Sequence, residues 1–134
     1  MHQHYQELTK NTANYIPLSP LSFLARTADI FGARTAIIYG DRHYSWQQTY
    51  GRCQALASAL NRHGLGLGDT VSIIAANTPE MYEAHFGVPM AGCVLNTTNT
   101  RLASETIAYM LADSDSKLLI ADTAFHDSVA AALQ

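Results

Sequence analysis

The chain has 134 residues, 48% hydrophobic and 14% charged, with a formal net charge of −3. That length holds one domain or part of one, and it is long enough for a real core. The composition excludes a disordered chain, and the absence of a basic stripe or Lys/Arg run argues against a nucleic-acid partner.

Met1 to Pro17 reads as a polar arm with no apolar leader. No run approaches the roughly 20 apolar residues that span a bilayer, so the expected compartment is the cytoplasm. His2 and His4 have no third ligand nearby, so a metal site there is not expected. Tyr15 and Ile16 are expected to pack onto the body.

Ser19-Pro20 opens a helix. Serine caps the free N–H groups, and proline fits the first position, where its missing N–H costs nothing. Leu21, Leu24, Ala28 and Phe31 form one stripe, and Gly32 ends it. Ala36 to Tyr39 and Arg42 to Tyr44 read as a hairpin about Gly40-Asp41. Ser45 and Gln48 fit a capping box for a helix running to about His63. Its stripe is Trp46, Tyr50, Cys53, Leu56/Ala57 and Leu60, with Arg52 and Arg62 facing solvent. Gly51 inside it costs roughly 1 kcal/mol relative to Ala, pointing to close packing or a tolerated weakness.

Gly64 to Asp69 is rich in glycine but follows a helix and precedes a strand, the reverse of a phosphate-binding context. It reads as a turn. Val71 to Ala75 is a short apolar strand suited to a sheet covered on both faces. Thr78-Pro79 starts the next helix, which Pro89 should kink. Gly92 follows its end. Cys93 to Leu95 reads as a strand, Asn96 to Thr100 as a polar loop, and Ala103 to Leu111 as a helix with Ile107, Met110 and Leu111 inward. Lys117 to Ala121 is a strand. Asp122-Thr123 starts a last helix through Phe125, Val129 and Leu133 that runs on without a stop signal. Helix, hairpin, then alternating helices and strands predict an α/β fold with a largely parallel sheet.

Little in the chain points to chemistry. Cys53 and Cys93 are isolated and read as reduced core thiols. Asp113 and Asp115 read as loop or helix-start residues. Glu80 and Glu83 sit near a helix N-terminus, where carboxylates suit the dipole. His85 reads as a packed or surface histidine. Arg101 has the chemistry to grip a carboxylate or phosphate, and its simpler role is to bond the turn at Asn96 to Thr100. No GxSxG, HExxH or Gly-Lys-Ser/Thr phosphate loop occurs.

Asn77, Pro79, Glu80, Gly87-Val88-Pro89-Met90-Ala91-Gly92, Leu95-Asn96 and Asn99-Thr100-Arg101-Leu102 carry a resemblance. So do Tyr15 to Leu24, Arg34-Thr35-Ala36 and Tyr44-Ser45-Trp46. The chain from about Asn14 resembles the N-terminal region of the adenylate-forming acyl-CoA synthetases. The resemblance implies that residues 18–134 are an incomplete part of that family's large N-terminal domain, preceded by the arm at 1–17 and cut before the phosphate loop. It implies that a carboxylic acid, ATP and coenzyme A are the full-length family's substrates, with Mg²⁺ neutralising phosphate charge. A medium-chain fatty acid or similar small organic acid is the expected substrate. The family's phosphate loop, aromatic-Thr-Glu motif, ribose-binding Asp and C-terminal Lys match no position in this sequence. No catalytic, cofactor-binding or metal-binding residue is therefore assigned, no bound cofactor is expected, and this chain alone is expected to be inactive. Two other readings are a free-standing non-catalytic binding module and an inactive paralogue that partners a full-length synthetase.

Overall fold

The computed structural model describes residues 11, 13, 15, 16 and 19–134. His2 and His4 lie outside the described residues. Ile16 is 79% exposed, so the arm does not pack there as expected.

The elements follow the expected order. Helix α1 (Pro20–Phe31) precedes a hairpin of β1 (Thr35–Tyr39) and β2 (Arg42–Ser45). Then come α2 (Trp46–Arg62), β3 (Thr70–Ile74), α3 (Pro79–Met90), β4 (Val94–Thr97), α4 (Ser104–Asp113) and β5 (Ser116–Ala121). A 3₁₀ turn (Thr123–Phe125) leads into α5 (His126–Ala132). The hairpin is antiparallel and stands apart as a two-stranded sheet. Strands β4, β3 and β5 form a parallel sheet in that order, with β3 central.

Local chemistry sets the boundaries. Ser45 Oγ accepts from the Gln48 N–H while Gln48 Oε1 accepts from the Ser45 N–H, closing the capping box. Thr78 caps α3 with Pro79 at its first position. The hairpin turns at Gly40, whose φ of 56° is the left-handed conformation that glycine adopts without a Cβ penalty.

The core lies between β3 and the α2–α3 pair. Ala57 and Leu60 of α2 meet Ala84, Val88 and Ala91 of α3 over Val71 and Ile73. Helices α2 and α3 approach closely at Gly87, where an added Cβ would lie 2.7 Å from Leu56 Cδ2 and 3.0 Å from the Cys53 carbonyl oxygen. Gly51, by contrast, faces open space, so its cost is a tolerated weakness.

Several expectations need correcting. Asn96 and Thr97 belong to β4 rather than to the loop, because Asn96 stands in register with Ser72 and bonds its hydroxyl at 2.9 Å. Cys93 precedes the strand; its N–H bonds back to the Val88 carbonyl and closes the end of α3. Phe31 is exposed, under the Arg34 guanidinium, rather than on the buried stripe of α1. Thr49, absent from the expected stripe of α2, is fully buried. Pro89 falls one residue from the end of α3, where a kink has almost no lever arm. The Leu133 N–H bonds to the Val129 carbonyl in the last turn of α5.

Candidate functional site

In a parallel sheet all strands deliver their carboxyl ends to one edge, and ligands of open α/β folds bind in the crevice outside it. Here Ile74, Thr97 and Ala121 end β3, β4 and β5 at that edge. The Thr98 N–H donates to the Ile73 carbonyl and the Asp122 N–H to the Ile74 carbonyl, which carries the pairing one residue further on each side. A cavity of about 400 Å³ opens there. The β3–α3 loop supplies Ala75 and Asn77, α3 supplies Met81 and His85, and Thr97 to Thr100 form the opposite wall.

His85 Nδ1 lies 2.8 Å from the Met81 carbonyl oxygen. A carbonyl only accepts, so Nδ1 carries a proton and Nε2 is left for another partner. Asn99 Oδ1 accepts the Arg101 N–H at 2.9 Å, a side-chain turn that shapes the loop. The Arg101 backbone N–H closes this turn. Thr98 is 3% exposed, and its hydroxyl has no partner among the described residues.

A second cavity, of about 650 Å³, lies between β1 and the start of α3 and is walled mainly by Ile37, Ile38, Met81, Tyr82 and Phe86.

The model of the AMP-binding enzyme family matches residues 24–134. The chain belongs to the AMP-binding enzyme family. The chain is 51% identical over 128 residues to an acetate–CoA ligase of Humulus lupulus, covering 96% of the chain and 22% of that protein. It is 51% identical over 119 residues to a peroxisomal acetate/butyrate–CoA ligase of Arabidopsis thaliana, covering 89% and 21%. With a peroxisomal trans-cinnamate:CoA ligase of Petunia hybrida the identity is 48%, covering 96% and 22%. The chain therefore spans about a fifth of the length of these relatives. Among solved structures it is similar to a benzoate CoA ligase of Burkholderia xenovorans, with a TM-score of 0.80, 26% identity, and coverage of 84% of this chain and 23% of that one.

The glycine-rich turn at residues 64–69 offers a poor cradle for triphosphate. In the glycine-rich turn the Gly66 N–H donates to Asp69 Oδ2 at 2.8 Å, and the Gly68 N–H donates to the Gly92 carbonyl. The amides that a phosphate would need are used, and a carboxylate sits among them. No group of three or more His, Cys, Asp or Glu that could hold a metal ion occurs among the described residues.

The remaining singled-out residues have structural partners. Arg52 does not simply face solvent as expected: its guanidinium grips Glu83 through Nε and through Nη2 at 3.0 Å, and it lies over the Tyr44 ring. Glu83 is buried and Glu80 bridges Arg42 at 2.8 Å and Arg52 at 3.8 Å, so this cluster ties the hairpin to α2 and α3. Sequence reasoning missed it because helical spacing within α2 says nothing about which face α3 presents. Asp113 accepts from the Tyr109 hydroxyl and Asp115 pairs with Lys117, so the two aspartates have separate partners. Cys53 and Cys93 are buried free thiols. Burial, with Glu83 nearby, pushes the Cys53 thiol up to about 11, and burial raises Cys93 as well. Thiols held in the protonated form are poor nucleophiles. Among the described residues no helix is long and apolar enough to cross a membrane.

Proposed function

We propose that this chain is the N-terminal part, residues 18–134, of a carboxylic acid–CoA ligase, preceded by the arm at 1–17. The identity of 51% across 96% of the chain with an acetate–CoA ligase carries the reading. In such a ligase the acid attacks ATP, pyrophosphate leaves, and an acyl-adenylate forms. The thiol of coenzyme A then displaces AMP. Mg²⁺, when bound, would neutralise the phosphate charge.

This chain contributes architecture and one wall of a crevice. The phosphate-gripping loop and the general acid–base groups belong, in this reading, to sequence outside these 134 residues, and the chain alone does not adenylate acids. The relatives named for acetate, butyrate and cinnamate favour short and aryl acids over the medium-chain fatty acids expected from sequence. They also favour a peroxisomal address as a rival to the cytoplasm. Such addresses are short receptor-read signals that leave the fold unchanged. Imaging of a fluorescent fusion of the full-length product separates the two compartments.

The test is pyrophosphate release with ATP, Mg²⁺, coenzyme A and a panel of acetate, butyrate, cinnamate and octanoate. The full-length product should turn over acetate or butyrate fastest. A full-length product inactive on every acid of the panel contradicts the proposal.

A further inference from the structure

Helix α1 has two unlike sides. Leu24 and Ala28 are buried, and the helix packs on α2 and α3. The outer side carries Phe23, Ile30 and Phe31, which are 58%, 54% and 43% exposed. Single apolar side chains on a surface are ordinary, but these are grouped. Phe23 and Ile30 lie two helical turns apart on one line, with Thr27 between them.

Polar groups along this line are spent within the helix. Thr27 Oγ1 donates to the Phe23 carbonyl at 2.6 Å, and Ser22 Oγ donates to the Ser19 carbonyl at 2.7 Å. Covering the stripe therefore strands neither hydroxyl proton. Arg26 and Asp29 lie along one flank of the stripe. Residues three apart on a helix are neighbours, yet neither of these two has an ion pair among the described residues.

A twofold interface sets one surface against its own copy, so that surface must complement itself. The outer side of α1 does so when two copies run antiparallel about an axis beside Thr27. Phe23 of each copy then meets Ile30 of the other. The charged flank meets the same flank reversed, which sets Arg26 opposite Asp29 twice. A parallel pairing instead sets that flank against the one holding Phe31 and Arg34, and both charge matches are lost.

We propose that the outer side of α1 pairs two antiparallel copies of this chain through Phe23, Thr27 and Ile30, with Arg26 and Asp29 bridging between the copies. Three exposed apolar side chains per copy are few for a permanent dimer, so the pairing is reversible and depends on concentration. Helix α1 lines neither of the two cavities described above, so the inference stands apart from the ligase reading.

Sedimentation equilibrium of the full-length product reads the pairing. The parent should dimerise reversibly as its concentration rises through the micromolar range. Arg26→Asp and Asp29→Arg each place like charges across the axis and should weaken the dimer at least fivefold. Mixed together, the two variants regain both pairs with the charges exchanged, and should associate within twofold of the parent. Phe23→Ser should weaken the parent dimer at least fivefold. All three positions are exposed, so the variants should keep the parent's melting temperature. A parent that stays monomeric throughout, with another part of the polypeptide covering α1, overturns the proposal. So does a dimer indifferent to the two charge reversals, or a mixture that associates no more tightly than its components.

Discussion

Among the described residues, the two faces of the parallel sheet differ in that only one carries a buried hydrogen-bond network. Toward α2 and α3, strand β3 presents Val71 and Ile73 to a packed apolar layer. Toward the other side it presents Ser72 and, two residues on, the fully buried Ile74, because side chains alternate along a strand. There Asn96 Nδ2 donates to Ser72 Oγ at 2.9 Å and to Ser114 Oγ at 3.1 Å, and the Ser116 hydroxyl bonds both serines. This network links all three strands and the end of α4. Apolar burial is strong but non-directional, whereas hydrogen bonds contribute less and fix register. The first face carries the larger apolar cluster. The second holds β4 and β5 in line with β3, and so holds the carboxyl edge where the crevice forms.

Breaking the apolar face should cost most. Ile73 is 2% exposed at the centre of the sheet, and Ile73→Ala should destabilise the chain by about 2–5 kcal/mol in a denaturant titration. Gly87→Val should cost about 1–3 kcal/mol, since the new Cβ meets Leu56 and the Cys53 carbonyl. On the polar face Ser72→Ala should cost about 1–2 kcal/mol, because Asn96 and Ser116 each lose one partner and keep Ser114. Equal losses at Ile73 and Ser72 would erase the distinction between the faces.

The apolar face also makes a pH prediction. The Cys53 thiol ordinarily ionises near 9.0 and is raised to about 11 in the fold. Between those values the unfolded chain has released the proton and the folded chain has not. Stability at this residue is therefore whole below pH 9 and falls as pH rises from 9 towards 11. A Cys53→Ala variant, melted across that range, should show a shallower decline than the parent. Identical slopes would place the thiol outside the core.

Much of the fold was legible in the sequence because its signals are local. The capping box at Ser45 and Gln48, the Thr78-Pro79 start and the Gly40 turn each need only a few neighbouring residues. The misreadings share a non-local cause. Asn96 reads as a loop residue until Ser72, far away in sequence, turns it into a strand residue with a partner. Arg52 reads as solvent-facing until α3 brings Glu83 to it. Gly87 looks like any helical glycine until α2 lies against it. The crevice was legible only as residues: Asn77, His85 and Asn99 to Arg101 stood out, but nothing local said that Thr98 would be buried with a free hydroxyl.

We propose that this chain supplies scaffold and one wall, while the phosphate chemistry of a ligase of this family lies outside these 134 residues. The most direct test compares pyrophosphate release, with ATP, Mg²⁺ and acetate or butyrate, by the 134-residue chain and by the product of the same gene read beyond codon 134. The account predicts turnover by the longer product and none above a heat-killed control by the 134-residue chain. Turnover by the 134-residue chain would contradict it.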